Sequence, residues 1–107
     1  MIAYEYNIET PNTHTLVLSG RIQFENRFEH IDEIETIRKI FTSSDKPTVN
    51  IEGVFFANSG FIAEFARLVF GISMKSILVI GNENSAWQKK FVRLMQTKNK
   101  HIQTEWR

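Results

Sequence analysis

Alternating apolar and polar residues predict two strands at the start of the chain. From residue 4 to residue 9 the two kinds of side chain alternate, which is the pattern of a half-buried strand. Residues 10–13 contain Pro and Asn and predict a turn. Residues 15–18 are rich in β-forming residues and end at Ser19 and Gly20. The short connection predicts that the two strands pair as an antiparallel hairpin.

Helical spacing of apolar residues predicts three helices further along the chain. In residues 28–41, isoleucines recur every three residues from Ile31 and charged residues fill much of the rest, which indicates an amphipathic surface helix. Residues 61–70 are apolar except for two charged residues, so this helix should be largely buried. Ser85 opens the third helix, with Gln88 three residues later as a capping-box partner.

Two apolar runs, residues 48–56 and 76–80, predict buried strands, and we place the first in the centre of the sheet. Residues 101–106 alternate in a way that is compatible with a last strand. The order β-β-α-β-α-β-α-(β) predicts one α/β domain over residues 1–107. Its sheet should be mixed, with an antiparallel N-terminal hairpin and parallel strands joined by right-handed crossovers. Three to four helices should cover mainly one face or both ends.

Composition narrows the class of protein. The 107 residues are 42% hydrophobic and 23% charged, which is typical of a globular domain. There is no cysteine, which excludes disulfides and thiolate metal sites and fits a reducing compartment. We see no signal peptide, and no apolar run approaches the ~20 residues of a membrane span. The expected location is therefore the cytoplasm.

Enzyme signatures are missing from the sequence. It contains no phosphate-binding loop, no GxGxxG and no GxSxG. His14, His30 and His101 fall on a turn, an acidic helix start and the chain end, with no metal-ligand spacing. The carboxylates lie mostly on the first helix and indicate a solvated face. We therefore expect no catalytic residue, no cofactor and no metal.

The most informative segment is residues 50–67, where a buried strand ends, a turn follows and a buried helix begins. Ser59 should lie at or next to the N-cap of that helix. In the first interpretation Ser59 or Asn58 caps the helix, which contributes about 1 kcal/mol. In the second, Ser59 also accepts a phosphate, which the backbone N–H groups and the helix dipole would stabilise. The two interpretations are compatible.

Three segments resemble the STAS domain of bacterial anti-sigma-factor antagonists and sulphate-transporter tails. Residues 16–22, LVLSGRI, resemble the family's second strand with its L-x-G-x-[LI] pattern. Residues 50–54, NIEGV, resemble D-L-S-G-V, and residues 56–60, FANSG, resemble F-[IM]-D-S-S-G. The order of elements agrees over nearly the whole chain. The chain is similar to a subgroup of small STAS-like regulators in cyanobacteria and related bacteria.

The resemblance implies a phosphorylation switch. In the antagonists, a kinase that is itself the anti-sigma factor phosphorylates a serine, a phosphatase reverses this, and the unphosphorylated form binds the kinase and releases the sigma factor. Ser59 falls on that serine and Asn58 on the aspartate before it. Asn50 and Asn58 stand where the family usually has Asp, and a single Ser precedes Gly60. A neutral amide therefore precedes Ser59 where the family has an acid.

Three functions compete at this point. The first is a non-catalytic regulator that binds a protein partner, with or without the switch, through an exposed patch; Phe24 would be an exposed anchor in it or would be tucked against the core. The patch comprises Arg21, Phe24, Asn58, Ser59, Gly60, Phe61 and Glu64.

The second, less favoured, is nucleic-acid binding through a basic C-terminal helix. Its residues are Lys89, Lys90, Arg93, Lys98 and Lys100, among Trp87, Phe91 and His101. The third is a small enzyme or small-molecule binder at Ser59. Strand pairing could also make a homodimer, which the sequence leaves open.

Overall fold

The computed structural model describes residues 6–107, which confirm the predicted order of elements. Tyr4 and Glu5, the start of the first predicted strand, lie outside these residues. The elements are β1 (Tyr6–Asn12), β2 (Thr15–Ile22), a 3-10 helix (Arg27–His30), α1 (Ile31–Ser43), β3 (Thr48–Ala57), α2 (Ser59–Gly71), β4 (Ile77–Gly81), α3 (Ala86–Lys98) and β5 (Ile102–Trp106).

The five strands form one mixed sheet in the order β1-β2-β3-β4-β5, with β3 in the centre as predicted. β1 pairs with β2 antiparallel, and the other neighbours are parallel. Each of the three crossovers moves one strand in the same direction, so right-handed connections place all three helices on one face. Phe65 of α2 joins this layer, because its ring lies 5.5 Å from both Phe41 of α1 and Phe91 of α3.

The core lies between the helices and the inner face of the sheet. Alternate strand residues such as Leu16, Leu18 and Val49 are almost fully buried, and they meet Ile34 and Ile37 of α1. The period-2 pattern of the strands and the helical period of the helices therefore converge on one apolar layer. Among residues 6–107, no helix is long and apolar enough to cross a membrane.

Two boundaries of the first hairpin differ from the prediction. β1 runs on through Pro11 to Asn12, so the turn is only Thr13 and His14. Pro is tolerated there because β1 is an edge strand. β2 does not end at Gly20 but continues to Ile22. Gly20 has φ 89°, a conformation that glycine adopts without strain, and the register with β3 shifts directly after it.

The central strand β3 is irregular in its second half. β4 pairs only with Thr48–Asn50, although β3 continues to Ala57. The pairs Gly20–Val54 and Arg21–Phe56 leave Phe55 without a partner on β2. This extra residue is a β-bulge, which bends a strand and redirects its side chains. The predicted continuous burial of residues 54–56 is therefore wrong for the two phenylalanines.

Gln88 of α3 occupies the unpaired edge of β3. Its side-chain Nε2 donates to the carbonyl oxygens of Ile51 and Val54, both at 2.9 Å, and its Oε1 accepts from the Asn82 backbone N–H at 2.7 Å. The predicted capping box is thus half right. Ser85 caps the Gln88 backbone N–H at 3.3 Å, but the Gln88 side chain bonds the strand instead of the cap.

Candidate functional site

The β3–α2 junction, which we define as Phe24 together with residues 58–61, is held by the side chain of Asn58. Asn58 is the N-cap of α2, and its Oδ1 accepts from the backbone N–H of Phe61 at 3.0 Å. The same oxygen accepts from the Phe24 N–H at 3.0 Å, and Nδ2 donates to the Phe24 carbonyl at 3.3 Å. One amide therefore caps the helix and fastens the loop after β2.

Gly60 is required by close contact between α2 and the same loop. A Cβ on Gly60 would lie 2.0 Å from the carbonyl oxygen of Phe24. That atom belongs to the backbone, so the clash could be relieved only by moving the chain. Gly60 thus serves packing, which is one of the two common reasons for a glycine at such a position.

The phenylalanines of the predicted patch are buried. Phe24 and Phe61 are 3% and 2% exposed and meet edge to face, with ring centroids 5.2 Å apart. On its other side Phe24 stacks on the ring of His30 at 4.3 Å. The prediction of an exposed patch is therefore wrong for these two residues. For Phe24, the alternative of a ring tucked against the core is confirmed.

Glu64 is also buried, at 8% exposure, and is neutralised by two arginines. Its Oε1 lies 3.3 Å from Nε of Arg27 and 3.1 Å from Nη1 of Arg67. A buried carboxylate needs such partners because an unpaired charge is costly to desolvate. Glu64 therefore joins α2 to the 3-10 helix instead of lying on an exposed patch.

Ser59 is the one member of the Asn-Ser-Gly motif whose side chain faces solvent. It is the first residue of α2, directly after the N-cap, and is exposed. The capping prediction is settled in favour of Asn58, with Ser59 next to the cap. The first turn of α2 contains no acidic residue that would repel a negative charge there, and the backbone N–H groups and the helix dipole would stabilise one.

Arg21 lies at the end of β2 on the open face of the sheet. Its guanidinium carbon is 4.9 Å from the centre of the Phe56 ring, a cation–π contact between paired residues. Phe24, three residues later, is in the core on the helix side. Of the predicted patch, only Arg21 and Ser59 are exposed.

A second polar cluster lies beside Phe24. The Tyr6 hydroxyl donates to a carboxylate oxygen of Glu33, and Nδ1 of His30 lies 3.0 Å from the same oxygen. Burial, followed by the hydrogen bond and the charge of Glu33, raises the pKa of the Tyr6 hydroxyl above its ordinary value. Because Tyr6 and His30 share the Glu33 carboxylate, and His30 also stacks on Phe24, the cluster fastens β1 to α1. In residues 6–107, no group of three His, Asp or Glu side chains could hold a metal ion.

Sequence reasoning missed an apolar groove between the end of β3 and α3. It has a volume of about 440 Å³ and is lined mainly by apolar side chains, with Lys90 at its edge. Phe55 is 66% exposed, Leu94 42% and Phe56 38%. The sequence assigned all three to buried positions, because neither the bulge at Phe55 nor the early end of β4 has a signal in their residue types. The groove is formed by Phe55, Phe56, Ile62, Trp87, Lys90 and Leu94.

The aromatic residues of the basic C-terminal helix do not form a stacking surface. Phe91 is 5% exposed and Trp87 is half-buried, with their ring centroids 5.8 Å apart. The basic side chains are exposed, whereas the rings of α3 belong to the core or the groove wall. Stacking with bases needs accessible ring faces, so this arrangement does not favour the nucleic-acid hypothesis.

Comparison with family models, with curated proteins and with solved structures gave no match to this chain. Membership of the STAS family therefore stays a hypothesis that rests on the three sequence segments and the order of elements.

Proposed function

We propose that this chain is a non-catalytic regulator that binds a protein partner at the end of the sheet where β3 meets α2, and that phosphorylation of Ser59 switches the binding. The observation that carries the proposal is that two neighbouring residues have separate roles. Asn58 caps α2, and the Ser59 hydroxyl is exposed beside it. A kinase could modify Ser59 without removing a hydrogen bond that holds the fold.

The helix N-terminus supports the phosphate itself. A phosphoserine carries about −1.5 to −2 charges near neutral pH. At the first position of α2 this charge would lie next to unsatisfied backbone N–H groups and the positive end of the helix dipole. The modification should therefore be tolerated by the fold and be felt mainly by whatever binds this end of the molecule.

Two further features support a regulator over an enzyme. A serine nucleophile needs a base within hydrogen-bond reach. The nearby candidates have other partners, since Glu64 pairs with two arginines and His30 with Glu33 and Tyr6. The STAS resemblance supplies the partner class, a serine kinase of the anti-sigma-factor type or a phosphatase. Together with the absence of cysteine, it supports a cytoplasmic location.

The test compares the proteins captured from native cell extract by the wild type, Ser59→Ala and Ser59→Asp, with mass spectrometry of bait and prey. Thr36→Asp, which adds the same charge to the exposed side of α1, is the control. We expect wild type, Ser59→Ala and the control to capture a kinase- or phosphatase-like protein that Ser59→Asp loses, and a phosphate on Ser59.

If all four baits capture the same proteins and Ser59 is never modified, the chain is an interaction module that Ser59 does not switch. Turnover of an activated ester or a nucleotide that Ser59→Ala abolishes would contradict the non-catalytic assignment.

A further inference from the structure

The apolar groove is a surface that the fold itself leaves unfilled. Phe55 is the bulged residue of β3, has no paired residue on β2 and is 66% exposed. Phe56 and Leu94 are also partly open to solvent. Single exposed apolar residues are common, but several that line one groove indicate a binding surface.

The charge that lines the groove is basic. Among residues 6–107, Lys90 is the only charged residue that lines it. α3, which forms one wall, contains no acidic residue. Two of its other cations, Lys89 and Arg93, lie towards β5, where they line a separate depression with Trp106.

The backbone beside the groove does not favour an added strand. Gln88 already occupies the carbonyl oxygens of Ile51 and Val54, and β3 continues only to Ala57. Strand addition depends on a free row of backbone groups, whereas a helix docks through side chains at i, i+3, i+4 and i+7. A groove with apolar walls and a lysine in its lining fits the second mode.

We propose that the groove binds an acidic amphipathic helix of a protein partner. Apolar side chains of that helix would pack between Phe55 and Leu94, and its carboxylates would pair with Lys90. This inference rests on the proposed function, because it names where and by what chemistry the partner binds. Ile62 lines the groove three residues after Ser59, so a phosphate on Ser59 would repel the carboxylates of the bound helix.

The experiment needs no knowledge of the natural partner. A phage-displayed library of amphipathic helices with randomised surface positions is selected on the full chain. Individual binders are then measured on wild type, a Phe55→Ser/Leu94→Ser variant and Lys90→Glu. Lys100→Glu, a charge reversal on an exposed residue outside the groove, is the matched control. Circular dichroism checks that each variant is folded.

We expect the binders to be enriched in Asp and Glu beside their apolar positions. Phe55→Ser/Leu94→Ser and Lys90→Glu should each weaken them by about tenfold or more, and Lys100→Glu by far less. Lys90→Glu keeps the test valid if the double variant fails to fold. Recovery of no binder, of binders without acidic enrichment, or of binders that Lys90→Glu does not weaken would overturn the proposal.

The outcome is separable from that of the proposed function. If selected helices depend on the groove but bind Ser59→Asp as well as wild type, the docking surface stands and the switch fails. If extract proteins discriminate Ser59→Asp but bind the Lys90→Glu variant normally, the regulator stands and the groove is not its docking surface.

Discussion

The β3–α2 junction and the apolar groove lie at the same end of β3, yet they are built in opposite ways. At the junction, Asn58 makes three side-chain hydrogen bonds and Gly60 leaves no room for a Cβ against Phe24. In the groove, the large Phe55 side chain is 66% exposed, and Phe55 has no paired residue on β2. The Asn-Ser-Gly motif at residues 58–60 therefore mainly stabilises the fold, whereas the exposed apolar surface lies beside it.

The difference follows from how β3 is paired. Its first residues have a strand on each side, but beyond Asn50 the β4 side has only the Gln88 side chain. A strand that loses a neighbour can end or bulge, and β3 bulges before it reaches Asn58. Beyond the bulge, the side-chain hydrogen bonds of Asn58 fix the chain at the junction. The bulge itself leaves the groove open.

The largest effect should come from Gly60→Ala. The added Cβ would meet the Phe24 carbonyl oxygen at 2.0 Å, so α2 or the loop must move. We expect a loss of about 3 kcal/mol or more in the free energy of unfolding, measured by urea titration. Gly71→Ala at the other end of α2 is the control, because a Cβ there meets nothing within 4 Å. If both variants are equally stable, Gly60 does not hold the junction.

Gln88→Met should have the next largest effect. The side chain is 1% exposed, and its removal leaves the Ile51 and Val54 carbonyls without their donor. Buried unsatisfied groups of this kind should cost about 2 to 3 kcal/mol in thermal or chemical unfolding. Gln96→Met on the exposed side of α3 should change stability by about 0.5 kcal/mol at most. A similarly small change for Gln88→Met would mean that the hydrogen bonds from Gln88 to the β3 carbonyls are not needed for stability.

Asn58→Ala should destabilise the chain by about 2 kcal/mol, through the lost cap and the lost bonds to Phe24. Asn58→Asp keeps an acceptor for both N–H groups and adds a charge that the helix dipole favours. Asn58→Asp should therefore lose less stability than Asn58→Ala. The comparison also tests whether the aspartate of the STAS pattern is tolerated at position 58. Differential scanning calorimetry of the two variants decides. An Asp variant as unstable as the Ala variant would show that the Nδ2–Phe24 bond dominates.

The pattern of apolar residues was sufficient to predict the strands and helices and their order, because apolar positions repeat with a different period in strands and in helices. It also placed Ser59 next to the helix cap. It could not decide whether Asn58 or Ser59 caps α2, since both residue types do so. Nor could it find the groove, because Phe55 and Leu94 have the composition of core residues and only the β3–β4 register exposes them. The partners of Glu64 come from separate elements and have no sequence signal.

The smallest effect on stability should come from Phe55→Ser, and its neighbour makes the comparison sharp. Val54 is 3% exposed and faces the core, whereas Phe55 is 66% exposed on the bulge. Val54→Ser should cost about 3 kcal/mol in urea unfolding, because it loses packing and buries a hydroxyl. Phe55→Ser should stay within about 0.5 kcal/mol, because little buried contact is lost. Such an outcome would mean that Phe55 is dispensable for the fold, which is the property expected of a residue retained for binding. A loss of stability as large as that of Val54→Ser would instead show that Phe55 belongs to the core. The groove would then no longer be a candidate binding surface.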